Sequence, residues 1–175
     1  KLEKDALAQI ENITADNARL VSNLHANLGG LYRMNGHPDL AREHMEKSIS
    51  LLDQFNLLHI NDSIPQIANY AMFLTEQQEP ERGISELQKL SGIIKEYHSD
   101  DCLDYAKVQE TLGTIYLMTA NLPQAKTHFK RAFKIYEKIW ADEPEMIEAK
   151  YQEIQELYPQ IGFCIGKKLS GLLTK

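Results

Sequence analysis

Small side chains return along this chain at a fixed step of 42 residues, a regularity that few folds can satisfy. Gly29, Ala71 and Gly113 form one series, and Ala41, Gly83 and Ala125 form a second. Large side chains keep the same step: Tyr32, Leu74 and Tyr116 follow the first series, and Met45, Leu87 and Phe129 follow the second. Pro38, Pro80 and Pro123 fall at or near the boundary between the two series in each period.

A repeat of this length marks stacked supersecondary units. Proline is tolerated in the first turn of a helix, where its missing N–H would lack a partner anyway. Each proline therefore marks the start of a second helix. Gly113 lies inside ETLGTIYLMTA, which has the pattern of a first helix. A glycine there costs about 1 kcal/mol relative to alanine, so close packing is the expected reason for it. Gly113 is expected opposite Ala125, with Tyr116, Phe129 and Ala132 filling the space around the approach.

These residues resemble the tetratricopeptide repeat, whose motif runs Trp-x2-Leu-Gly-x2-Tyr, Ala-x3-Phe, Pro. Leu112, Gly113, Tyr116, Ala125, Phe129 and Ala132 match it, as do Leu28, Gly29, Tyr32, Gly36 and Ala41. The middle unit keeps the sizes but not the identities, with Tyr70, Ala71, Leu74 and Gly83. The Trp slot holds His25, Ile67 and Gln109, and the terminal Pro slot holds Asp53 and Glu137 in the outer two units. The usual period is about 34 residues. The longer one here, with Asn27 and Asn69 ahead of the Leu-Gly slot, is similar to the kinesin-light-chain-like subgroup.

The resemblance implies an all-α, right-handed superhelix, an α-solenoid of antiparallel helix-turn-helix units. Three units are expected at 22–57, 64–99 and 106–140. A second helix of a truncated upstream unit is expected at 1–13, and a degenerate fourth unit or closing helices at 144–175. The chain lacks an initiator Met, which points to a fragment of a longer protein. Asp62, Ser63, Asp100, Asp101 and Asp142 fall in the loops, where their side-chain oxygens suit helix N-caps.

Little here speaks for catalysis. None of the six histidines, His25, His37, His44, His59, His98 and His128, has metal-binding spacing, and no phosphate loop or nucleophile elbow is present. Neither an enzyme, a cofactor, a metal nor a small-molecule substrate is expected. Cys102 and Cys164 are far apart and form no CxxC. Buried thiols in a reducing, cytoplasmic compartment are the reading. No apolar run approaches the roughly 18 residues of a membrane span. The net charge of −6 argues against broad nucleic-acid binding.

Charge is unevenly placed. The first helices are nearly neutral, whereas the second helices are rich in charge. In the tetratricopeptide architecture the first helices line a concave groove. The resemblance therefore implies a groove of amides and apolar groups, suited to an extended or helical peptide rather than to a carboxylate clamp. Carried over by motif slot, its residues are Asn23, Asn27, Gly30, Arg33 and Met34, then Asn69, Met72 and Glu76, then Lys107, Glu110, Thr114 and Met118. Asn27 and Asn69 could instead bond between neighbouring helices, and the three methionines suit core and ligand surface equally.

One segment is strongly basic: Lys126, Lys130, Arg131, Lys134 and Lys138 stand against Glu137 alone. The next, 141–157, carries six carboxylates against Lys150. Mutual compensation between them is expected, with an acidic-partner patch as the sharper alternative. The function expected is a scaffold that binds a protein or peptide partner. The alternative is the peptide-sensing arm of a larger bacterial regulator, and self-association through the weakly charged segment 160–173 is a third role.

Overall fold

The computed structural model describes residues 5, 12–61, 63–157 and 159. Asp62, Cys164, most of 1–13 and the segment 160–173 lie outside the described residues, and with them the readings that fall there. The fold is an all-α helical repeat, with no strand among the described residues. Among the described residues seven helices follow in order: α1 (Ala18–Met34), α2 (Pro38–Gln54), α3 (Ser63–Glu76), α4 (Pro80–Tyr97), α5 (Leu103–Met118), α6 (Leu122–Ile139) and α7 (Pro144–Leu157). They fall into two compact units, Lys1–Ser99 with α1–α4 and Asp100–Lys175 with α5–α7.

In the first unit, Ala41 and Met45 of α2 pack with Tyr70, Phe73 and Leu74 of α3, flanked by Tyr32 and Ile49. In the second, Leu112 and Ile115 of α5 and Phe129, Ala132 and Tyr136 of α6 are buried. No helix pair could bury such a stripe alone, so stacking supplies the core.

Glycine marks the closest approaches, and the structure shows what each one faces. A Cβ on Gly29 would lie 2.6 Å from Met45 Cγ, and one on Gly113 would lie 3.0 Å from Phe129 Cδ2. The large side chain that follows the partner alanine, rather than the alanine itself, takes up the space opposite Gly113. In the middle pair the glycine sits on the other helix: Gly83 of α4 faces the backbone of Ala71.

The turns within the three pairs share one conformation. Gly36, Gln78 and Ala120, 42 residues apart, all have positive φ, at 73°, 66° and 59°. In each turn the next residue's N–H reaches five residues back: His37 to Tyr32 O (2.9 Å), Glu79 to Leu74 O (2.8 Å), Asn121 to Tyr116 O (2.7 Å). These are Schellman closures, which satisfy carbonyls at the helix end. Only the first carries the glycine that would announce it.

Two of the expected caps, Asp101 and Ser63, are corrected. Asp101 ion-pairs with Lys138, and the N-cap of α5 is Cys102, whose Sγ accepts from Tyr105 N–H at 3.4 Å. Ser63 does not cap; its hydroxyl donates to Leu58 O (2.6 Å) and Ile60 O (2.8 Å). Asn121, not foreseen, caps α6 through Gln124 N–H.

Candidate functional site

In the first unit, α1 and α3 border two adjoining cavities. One, of about 240 Å³, is lined by Ala26, Gly30, Arg33, Met34, Met45, Ser48, Gln66 and Asn69. The other, of about 300 Å³, is bordered by Asn23, Ala26, Asn27, Pro65, Gln66 and Asn69. Six of the residues expected in the groove, Asn23, Asn27, Gly30, Arg33, Met34 and Asn69, thus gather here. Met34 is 84% exposed, so it is no core residue, whereas Met72 is half-buried.

The floor is a polar node not anticipated from sequence. Gln66 Oε1 accepts from Ser22 Oγ (2.8 Å) and Ser48 Oγ (2.5 Å), and Gln66 Nε2 donates to Asn23 Oδ1 (2.5 Å). Ser22 and Ser48 are fully buried and Gln66 nearly so, so these bonds offset the cost of placing three polar groups in a core. The node ties α1, α2 and α3 together beneath the cavities. The repeat itself signals it, by deviation: the positions equivalent to Ser22 are Ile64 and Ala106, and those equivalent to Ser48 are Leu90 and Ala132.

At the end of α1, Arg33 grips Glu76 of α3 through both guanidinium arms, with Nε donating to Oε2 at 2.8 Å. Two residues expected to await a ligand are therefore engaged with each other across the rim. Asn27 and Asn69 are different. Both are exposed, and among the described residues neither side-chain amide has a hydrogen-bond partner.

A histidine pair sits beside this site. His25 Nδ1 and His44 Nδ1 are 2.8 Å apart, and the His44 ring stacks on Tyr32 at 5.3 Å. Burial is the main cause holding His25 down at about 4, with the neighbouring His44 and Lys47 charges adding to it against Glu43. The second unit repeats the arrangement two periods on: His128 stacks on Tyr116 at 5.3 Å and meets Gln109 Oε1 at 2.9 Å. His128 is likewise lowered by burial, helped by Arg131.

The second unit uses its expected groove residues otherwise. Glu110 is corrected: it accepts from Tyr136 O–H (2.6 Å) and from Lys150 of α7 (2.9 Å), so its carboxylate is committed within the unit. Burial pushes the Tyr136 phenol well above its ordinary value, and Glu110 adds to this. Burial alone would lower Lys150, but its bonds to Glu110 and Glu153 more than offset this and raise it. Thr114 Oγ1 donates to Glu110 O at 3.1 Å, Lys107 lies 3.9 Å from Asp104, and Met118 is exposed. Nor do α6 and α7 compensate each other as expected, since among the described residues no ion pair joins them.

Among the described residues no group of three or more His, Cys, Asp or Glu could hold a metal ion, and no helix is long and apolar enough to cross a membrane. A family model described as tetratricopeptide repeat matches residues 63–138, from α3 to the last turn of α6. Residues 63–138 thus match the tetratricopeptide repeat. Tetratricopeptide repeats generally mediate protein–protein interaction. The crystal structure of BtubC (BKLC) from P. vanneervenii is 19% identical, with a TM-score of 0.72. The alignment covers 92% of this chain, which spans 64% of the BtubC chain. At that identity the likeness concerns the fold. No curated protein sequence matches.

Proposed function

We propose that the face between α1 and α3 receives a peptide segment of a partner protein, making this chain a non-enzymatic interaction scaffold. One observation carries the reading. Asn27 and Asn69 flank the same cavity, are exposed, and keep their amide groups unengaged among the described residues. An amide side chain offers both a donor and an acceptor, which is what a peptide backbone presents in return. Beside them, Ala26, Gly30, Met34 and Met45 border a space that takes one bulky apolar side chain of the ligand. An exposed methionine adapts to varied partners, which suits such a wall. Arg33 and Glu76 close one end as a bound pair rather than as a charge clamp.

The test is a peptide-display selection followed by calorimetry of the strongest hit. Two lost amide bonds at roughly 0.5–1.5 kcal/mol each predict a weakening of roughly five- to 150-fold for Asn27→Ala/Asn69→Ala. Circular dichroism should show unchanged helicity in the variant. An unchanged affinity would remove these two residues from the site.

A further inference from the structure

The exposed side of α6 is a strongly charged surface that the site above does not use. We propose that it is a second docking surface, for a short acidic peptide segment.

Lys126, Lys130 and Lys134 stand four residues apart on α6, with Arg131 beside them. At 1.5 Å rise per residue the stripe from Lys126 to Lys134 is about 12 Å long. Lys130, Arg131 and Lys134 are exposed and Lys126 is half-buried. Among the described residues none of the four has an ion pair, whereas the fifth cation, Lys138, is held by Asp101.

The other second helices are arranged differently. On α2 and α4, Arg42 pairs with Glu46 and Glu79, Arg82 pairs with the same two carboxylates, and Lys89 pairs with Asp53. The positions equivalent to Lys130 are Glu46 and Gln88, and those equivalent to Lys134 are Ser50 and Gly92. Like charges at i and i+4 destabilise a helix, so this stripe works against the stability of α6. Among the described residues no carboxylate pairs with it. Glu137, the only acid on α6, accepts from Tyr151 O–H at 2.9 Å, and Lys150 of α7 turns its charge to Glu110 and Glu153.

Charge complementarity sets the occupant. The stripe is short and belongs to a chain of net charge −6, which repels an extended polyanion. Three or four carboxylates one helical turn apart match the lysine spacing, so a short acidic helix or peptide fits best. This surface lies in the second unit and shares no residue with the α1–α3 cavities, so the two sites fail or hold separately.

The experiment uses the full chain and a fluorescein-labelled synthetic peptide with glutamate at every fourth position in an alanine background. Anisotropy is read at low and at physiological ionic strength. The expected result is saturable binding, weakened by salt because exposed charges are screened. Lys130→Glu/Lys134→Glu should weaken it at least about tenfold, Lys130→Gln/Lys134→Gln should weaken it less, and Lys47→Glu/Lys89→Glu on α2 and α4 should leave it unchanged. No binding, or equal weakening by the control pair, overturns the proposal. So does tighter binding of a short single-stranded oligonucleotide through the same lysines, which would make the face a reader of phosphates.

Discussion

A Cβ on Gly83 would lie 2.6 Å from the carbonyl oxygen of Ala71. The middle helix pair thus places its glycine opposite main chain, where neither partner can rotate away. Gly113 faces the ring of Phe129 instead, at 3.0 Å, and a ring can yield by a small tilt.

Gly83→Ala should therefore destabilise the protein by about 1–3 kcal/mol through overpacking. Gly113→Ala should cost less, because the approach is looser and is to a ring rather than to backbone; the gain of about 1 kcal/mol from replacing a helical glycine applies to both variants. Urea midpoints of the two variants give the order directly. A Gly113→Ala variant that is the less stable of the two would contradict the account.

The turns make the opposite prediction. Gln78 and Ala120 occupy left-handed positions that cost an L-residue about 1–2 kcal/mol. Glycine removes that strain but makes the unfolded chain freer, so Gln78→Gly and Ala120→Gly should each stabilise by roughly 0.5–1 kcal/mol. Gly36→Ala should lose a comparable amount. Denaturant curves on the three variants suffice, and a destabilised Ala120→Gly would count against it.

The node at Gln66 tests how buried polar groups are held. Gln66→Leu leaves the Ser48 hydroxyl without its 2.5 Å acceptor and should cost about 1–3 kcal/mol. Adding Ser22→Ala and Ser48→Ala removes the orphaned groups and should recover much of that loss. If the triple variant is as unstable as the single one, packing rather than hydrogen bonding is what Gln66 supplies.

His25 should make the protein acid-sensitive. Its folded pKa is about 4 and its ordinary value is 6.5. Between those two pH values the unfolded chain binds a proton that the folded chain does not, so stability rises with pH there and is lost as pH falls from 6.5 towards 4. His25→Gln installs the residue found at the equivalent Gln109 and should flatten that slope. Melting temperatures of both proteins across this range check it, with equal slopes as the adverse outcome.

The helix pairs were legible because their small and large positions repeat, and a period survives substitutions that keep size. Chemistry was less legible, for two reasons. Glu110 occupies a slot that faces the groove in the tetratricopeptide pattern, yet Tyr136 and Lys150 approach it from elements far along the chain. No spacing announces such a meeting. Gln66 breaks the repeat, with Leu24 and Val108 at the equivalent positions, so likeness between units does not point to it. The left-handed turns were hidden for a similar reason. Only Gly36 advertises a positive φ, while Gln78 and Ala120 are carried into it by the closure around them. The cap at Cys102 was missed because oxygen, not sulfur, is the usual signal.

The shared turn also governs where this chain can change length. Each hairpin spends only three residues between its helices, at 35–37, 77–79 and 119–121, and the middle one is locked left-handed between two backbone bonds. An inserted or deleted residue there would rotate the second helix by about 100° and turn its apolar stripe away from the first. Sequence drift in length has room only in the stretches between hairpins, so descendants of this chain should differ in the spacing of their helix pairs and agree in the make-up of each pair.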